Sequence, residues 1–278
     1  MSSEQAVPLI LSHKHPPMFL RFKEIWRGRE FLYFLMMRDL KVRYRQTILG
    51  VLWIGAQPVV MATVFSIVFG QFLKLSAADL PYPLFSFSGV VIWTFLSSVL
   101  MRGTFSLVAS QDILTKTYFP RMIAVLSATL PTLLDLLFGL VVLVGLTLYW
   151  GWPIQPHVVW ALPLVVTLGF LFSFAASLWL SILTLRFRDL AHVIPVGLQL
   201  LMYCSPVVFS STVLPERLRG YYGLNPVAGV IEGFRWAFFG STGLPVQALG
   251  ASAVVVIALL ISGLIFFNAS EDRLVDYL

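Results

Sequence analysis

Apolar residues in this chain come in blocks rather than in alternation, and six blocks match the thickness of a bilayer. A hydrocarbon core of about 30 Å takes about 20 apolar residues in a helix. Val51–Leu73 and Leu80–Met101 carry no charge, and the second helix is expected to continue past Arg102. Met122–Tyr149 is interrupted only by Asp135. From Leu136 to Leu185 there is no charged residue, too long a run for one crossing. The group 150-WGWPIQPH-157, with two prolines, a glycine and polar atoms, divides it as a turn. A fourth span then covers Val158–Thr184, a fifth Ala191–Phe209 and a sixth Val246–Asn268. The pattern predicts an all-α integral membrane protein with six transmembrane helices. Residues 1–30 are expected to form a cytoplasmic tail, and 31–278 a single six-span membrane domain.

Basic residues orient the spans. With the N-terminus inside, nine Lys and Arg fall in 1–50, three in 102–121, two in 185–190 and one in 269–278. Only Lys74, Arg217, Arg219 and Arg235 remain for the other side. Lys and Arg favour cytoplasmic flanks, so both termini are expected in the cytoplasm. The tail is polar, contains Pro8, Pro16 and Pro17, and has no apolar core of a secretory signal, so insertion is expected to rely on the first span.

Before the first span, 38-RDLKVRYR-45 is strongly cationic. On a helical wheel Leu32, Tyr33, Met36, Met37, Leu40 and Tyr44 share a broad face, flanked by Arg38, Lys41 and Arg45. Such a helix suits the membrane surface, with its cations at anionic headgroups; an ordinary positive flank of the first span is the plainer alternative. Between the fifth and sixth spans, 225-NPVAGVIEGFRWAFFG-240 is apolar, aromatic and about 24 Å long as a helix, too short to cross. Its Glu232 and Arg235, three apart, are placed to neutralise one another. With Pro215, Glu216, Arg217, Arg219, Tyr221 and Tyr222 before it, the region reads as two short helices that dip into the outer leaflet and return.

Composition agrees: 58% of residues are hydrophobic, mean hydropathy is +0.87, and 12% are charged, against about 25% in soluble domains. The net charge of +6 belongs to membrane flanks and does not imply a nucleic-acid partner. Cys204 stands alone in an apolar run and reads as a small buried hydrophobe. Chemistry is sparse. There is no GxxxxGK[ST] phosphate loop, and the four histidines have no metal-ligand spacing. Asp135, alone within a span, reads as a structural hydrogen-bonding group between helices; Arg102 lies about two turns, ~11 Å, nearer the cytoplasm. The loop 109-ASQDILTKTYFPR-121 reads as a short cytosolic helix offering Ile113, Leu114 and Tyr118 as a docking knob, with solvated linker as the alternative. The segment 186-RFRDL-190 is a smaller version. Trp53, Phe65, Tyr203 and Phe209 lie in spans near Gln57, Gln199 and Ser205, a mixture that suits sugar rings, although most membrane aromatics serve packing or interfacial belts.

Four segments, 43-RYRQTILGVLWIGAQP-58, 116-KTYFPR-121, 203-YCSPVVF-209 and 224-LNPVAGVIEGFR-235, together resemble the transmembrane permease subunits of bacterial ABC exporters of polysaccharide, O-antigen or teichoic acid. Cys204-Ser205-Pro206 departs from the usual aliphatic or Thr residue before the proline. The resemblance implies a homodimer joined to two nucleotide-binding ATPase subunits, which supply ATP and Mg while this chain needs no cofactor. It implies that Asp112, Ile113, Leu114, Thr115, Lys116 and Tyr118, with Arg186, Arg188 and Asp189, contact the ATPases. Trp53, Gln57, Phe65, Gln199, Tyr203 and Phe209 would line the channel. Tyr221, Tyr222, Asn225, Pro226, Glu232, Arg235 and Trp236 would shape its periplasmic exit. Arg38, Lys41 and Arg45 become candidates for a lipid-linked glycan's pyrophosphate, in a bacterial inner membrane. A self-sufficient channel or secondary transporter would want more ionisable groups at mid-membrane, and a lipid-linked sugar transferase would want clustered acids. An exporter of a small lipid or drug differs only in cargo.

Overall fold

The computed structural model describes residues 24–45, 50–74, 80–116, 119–211, 215, 222, 224–240 and 245–270, with side chains omitted at 44–45 and 50–54. Regular structure among them is helical. The helices are α1 (Arg29–Arg45), α2 (Gly50–Phe65, continuing as a π-helix over Ser66–Phe72), α3 (Tyr82–Ala109), α4 (Gln111–Leu114) and α5 (Met122–Thr129). After them come α6 (Thr132–Tyr149), α7 (Val158–Arg186), α8 (Leu190–Tyr203), α9 (Pro226–Phe239) and α10 (Val246–Ser270). Among the described residues, five stretches are long and apolar enough to cross a membrane: Gly55–Phe72, Tyr82–Ala109, Met122–Tyr149, Val158–Arg186 and Val246–Ser270. The third is interrupted between α5 and α6 at Leu130-Pro131, where proline at 131 offers no N–H to the helix.

The expected fifth span differs most. Its helix ends at Tyr203 after 14 residues, about 21 Å, whereas Ala191–Phe209 had been expected to cross. Pro206 cannot donate to a continuing helix, and it disfavours helical backbone at Ser205. Residues 204–210 instead turn against α3, where the Tyr82 hydroxyl donates to the Val208 carbonyl at 2.6 Å. Only α9 of the two expected short helices lies in described residues; Tyr221 and 216–220 fall outside them.

α3 is the centre of the molecule, with 18 of its 28 residues buried. It meets α7 where a Cβ at Gly103 would stand 2.3 Å from Ser177 Oγ. Small residues let apolar helices approach closely where water provides no driving force between them. Beside α7, α9 runs in the opposite direction. His157 stacks on Trp236 with ring centroids 4.4 Å apart. Val165 lies against Gly233, and Gly169 against Val230. α10 runs parallel to α7: Leu249 shares the Gly233 contact with Val165, and Trp179 stacks on Phe266 at 4.1 Å.

In α1 the buried line matches the wheel's face only in part. Leu35 and Leu40 are buried, and Phe31 and Leu32 pack on the core, while Tyr33 is exposed. α5 chooses the side: Ile123 presses so close to Gly28 that an added Cβ would stand 2.6 Å from it.

Candidate functional site

Two loops emerge at the same end of the α3–α7 pair, whose last turns are joined by the Thr184 hydroxyl donating to the Thr104 carbonyl at 3.2 Å. In the first, α4 is a single turn, closed by the Thr115 hydroxyl on the carbonyls of Gln111 and Asp112. Asp112, Thr115 and Lys116 are exposed, but Ile113 and Leu114 are half-buried against the core. The knob therefore shows polar atoms and keeps much of its apolar surface for its own anchoring; Tyr118 lies outside the described residues. Phe119 is buried, its ring 4.6 Å from that of Phe31. This contact fastens the loop to α1, a role that sequence reading did not assign to Phe119. In the second loop Arg186, Arg188 and Asp189 are all exposed, with the Arg186 guanidinium 5.2 Å over the Phe187 ring.

The predicted channel residues divide between α2 and α8. Gln57, Gln199 and Tyr203 are exposed; Phe65 and Phe209 are half-buried; the Trp53 side chain is outside the described set. Along α8 only Ile194 and Met202 are buried. Val193, Val196, Leu200 and Tyr203 are exposed around Gln199. Along α2, Val59, Val60, Val64, Ile67 and Val68 are exposed with Gln57 and Thr63. An amide facing hydrocarbon without a partner is costly, so these faces suit a protein neighbour or a water-lined passage better than lipid.

The expected exit residues are largely spent on holding the chain together. Asn225 caps α9, accepting from the Val227 N–H at 3.1 Å and donating to Ser205 Oγ at 3.1 Å, and Pro226 takes the first helical position. These assignments match the known preferences of caps and of proline at helix starts. Arg235 is buried and does not form the expected ion pair with Glu232. Its Nη1 donates to the Pro206 carbonyl at 2.6 Å, its Nη2 to the carbonyls of Val207 at 2.8 Å and Phe85 at 3.1 Å, and its Nε to Ser88 Oγ at 3.3 Å. The guanidinium also lies 3.6 Å from the Phe85 ring centroid. The carbonyls released by the end of α8 offer the planar fork more partners than one carboxylate does, which explains the departure. Glu232 Oε1 and the Tyr222 hydroxyl are buried and have no hydrogen-bond partner among the described residues.

Residues 30–239 match the family model for ABC-2 type transporters. The chain belongs to the ABC-2 transporter family. It is similar to an O-antigen export system permease protein RfbA of Klebsiella pneumoniae, 30% identical over 249 residues that cover 90% of this chain and 95% of that protein. An RfbA of Myxococcus xanthus is 27% identical over 91% of this chain and 97% of its own length. The polysialic acid transport protein KpsM of Escherichia coli is 21% identical over 86% and 93%.

In this ABC-2 transporter the cationic helix α1 holds ion pairs through Arg38 and Arg43. Arg38 Nε and Nη2 both donate to Asp39 Oδ1, at 2.9 and 2.7 Å. Arg43 Nη1 donates to Asp135 Oδ2 at 2.5 Å. Asp135 thus joins two helices, as expected, but through Arg43 of α1. Sequence spacing had weighed only Arg102 as a partner, because it set α1 apart from the spans. Lys41 is exposed, and the Arg45 side chain is outside the described residues.

Proposed function

We propose that this chain is the membrane subunit of an ATP-driven exporter that carries a lipid-linked polysaccharide, of O-antigen or capsule type, across a bacterial inner membrane. The observation that carries the reading is the near full-length similarity to O-antigen export permeases. Two copies form the passage, and two nucleotide-binding subunits supply ATP hydrolysis with their own Mg. This chain is a transport subunit rather than an enzyme.

Six crossings follow as part of the same reading. α7 and α10 run parallel, so one return crossing must separate them, and α8, about 21 Å long, covers only part of it. α9 completes the return. It begins beside Gly169, near the middle of α7, and climbs toward the 150–157 turn, where the Gln155 N–H donates to the Phe238 carbonyl at 3.2 Å. The region around Tyr222, Glu232 and Trp236 then borders the outer mouth, with both chain termini in the cytoplasm.

Closure of the ATPases acts on Asp112, Thr115 and Lys116 and on the Arg186–Asp189 loop. Movement passes directly into α3 and α7, and through Phe119 into α1. The exposed faces of α2 and α8 respond by parting at the interface between copies. Gln57, Gln199 and Tyr203 then meet a sugar chain through weak, repeated contacts.

Deleting the gene in its source cell tests the cargo. Lipid-linked glycan should accumulate on the cytoplasmic leaflet while surface polysaccharide disappears, and the wild-type chain should restore both. Normal surface polysaccharide in the deletion strain rejects this cargo. Copurification of an ATPase with the tagged chain tests the partner.

A further inference from the structure

We infer that the π-helical end of α2 is a register switch, and that its relaxation to α-helix turns Gln71 onto the line of Gln57 as a further contact for the cargo. The inference rests on the export reading for the passage that α2 borders; the geometry of the switch is independent of it.

A π turn closes on the fifth residue instead of the fourth, so it takes up about one residue more than an α turn. Burial does not impose it over Ser66–Phe72, since none of the seven residues is buried. Contacts with α3 do. The Ala62 carbonyl, one turn before the segment, accepts from Ser66 Oγ at 2.7 Å and from Ser86 Oγ of α3 at 3.2 Å. Hydroxyls on a helical carbonyl compete with the amide ladder and loosen it. Farther along, the backbone at Gly70 lies on the Tyr82 ring, where an added Cβ would stand 2.8 Å from the ring carbons. The hydroxyl of the same Tyr82 donates to the Val208 carbonyl, in the turn that ends α8. The wide turn is thus held by neutral groups, and one of them is shared with α8. A displacement of the end of α8 is felt at Gly70, and the segment is free to close into the α-helix of the rest of α2.

Gln71 gives the switch its use. It follows Gln57 by 14 residues, and both are exposed. In an unbroken α-helix, at about 100° per residue, the two amides would lie about 40° apart on one stripe. The extra residue of the π segment turns Gln71 away by about a further 100°. An amide near the outer end of a span also meets headgroup water, so polarity alone singles out nothing. The spacing from Gln57, with the π segment between, does. The π register leaves Gln57 without Gln71 beside it. The α register extends the line of amides toward the outer mouth, where a sugar chain exchanges one weak contact for the next.

Deletion of Ile67 removes the extra residue and fixes the α register. In the full-length chain in lipid nanodiscs, hydrogen exchange of the 66–72 amides should slow about tenfold in the deletion variant. Its melting temperature should stay within about 3 °C of the wild type. Unchanged exchange, or a larger fall in melting temperature, overturns the switch, because the wide turn would then be a fixed part of the fold. In cells, the deletion variant cannot return to the π register, and surface polysaccharide should fall about tenfold. Gln71→Leu should lower it about fivefold, the loss of one neutral hydrogen bond, with normal accumulation in the membrane. Phe72→Leu, at the next exposed position, should stay within about twofold. Normal export by the deletion variant or by Gln71→Leu overturns the proposal, as does an equal loss with Phe72→Leu. The exchange measurement needs neither cargo nor ATPase, so failure of the switch and failure of the export reading are separable.

Discussion

α3 and α2 are neighbours of similar composition with opposite surroundings. Of the 28 residues of α3, 18 are buried within the chain; of the Gly55–Phe72 span, 17% are. Both are apolar all round, so hydropathy alone does not distinguish them. What differs is the distribution of small and polar groups. α3 places Ser88, Gly89, Gly103 and Thr104 where other helices press against it. α2 leaves Gln57 and Thr63 on its exposed side, and nothing lies within 4 Å of where a Cβ at Gly55 would be. α8 resembles α2. One part of the molecule has completed its packing within the chain, and the other leaves most of its surface uncovered by the described residues.

The largest effects belong to the completed part. Arg235→Leu removes a buried guanidinium and leaves the carbonyls of Phe85, Pro206 and Val207 without their donor. Each stranded group costs about 1–3 kcal/mol, so a loss of about 3–5 kcal/mol is expected. It should be visible as a collapse of the melting temperature in detergent and of accumulation in membranes. Gly89→Ala should reproduce much of this, since the new Cβ would stand 2.5 Å from the Val207 carbonyl oxygen. A melting temperature unchanged in both variants would remove the junction from the stable core.

Phe119→Ala comes next. Its ring is buried on Phe31, and truncating such a ring costs about 3 kcal/mol in a well-packed site. The sharper readout is coupling: ATP hydrolysis by the assembled complex should persist while export falls, because the loop loses its hold on α1. Equal loss of hydrolysis and export would make the contact merely structural.

Long spans are the most legible feature of the sequence, because a bilayer imposes one requirement, about 20 apolar residues; α7 and α10 end two residues beyond the expected positions, and α3 continues past Arg102, as expected, to Ala109. The end of α8 was harder to read. The run 200-LLMYCSPVVF-209 is apolar throughout, and only Pro206 marks the turn; its stopping power depends on Arg235 and Tyr82, which arrive from elsewhere in the chain. Glu232 and Arg235 illustrate the same limit. Spacing of three allows an ion pair, but three carbonyls from distant segments outbid it. Phe119 was visible only as an aromatic in a loop, since nothing local to 116–121 reveals that Phe31 lies opposite. The exposed amides on α2 and α8 were legible as polar residues within apolar runs.

Between the two parts lies the Arg43–Asp135 pair, where α1 meets the first turn of α6. Its side chains are 26% and 13% exposed, so its coupling should exceed that of a surface pair and remain modest, about 1 kcal/mol. Asp135→Asn and Arg43→Gln should each destabilise. The double variant should cost less than their sum, by roughly that coupling. Strict additivity in thermal unfolding would show that the two groups act independently.

The smallest effect on stability is expected where the comparison is most exposed. Gln57→Leu and Gln199→Leu change surface residues on α2 and α8, and neither side chain is held by a hydrogen bond within the described residues. Unfolding should therefore shift by no more than about 0.5 kcal/mol. If these faces were lipid-facing, the substitutions would be neutral or mildly favourable in every assay, because leucine suits hydrocarbon better than an amide. If they border a passage between two copies, each leucine removes a hydrogen-bonding group from the track, and export should fall with assembly intact. The measurement pairs a thermal scan with quantification of surface polysaccharide. Normal export with both leucines in place would assign these faces to lipid and move the passage elsewhere in the fold.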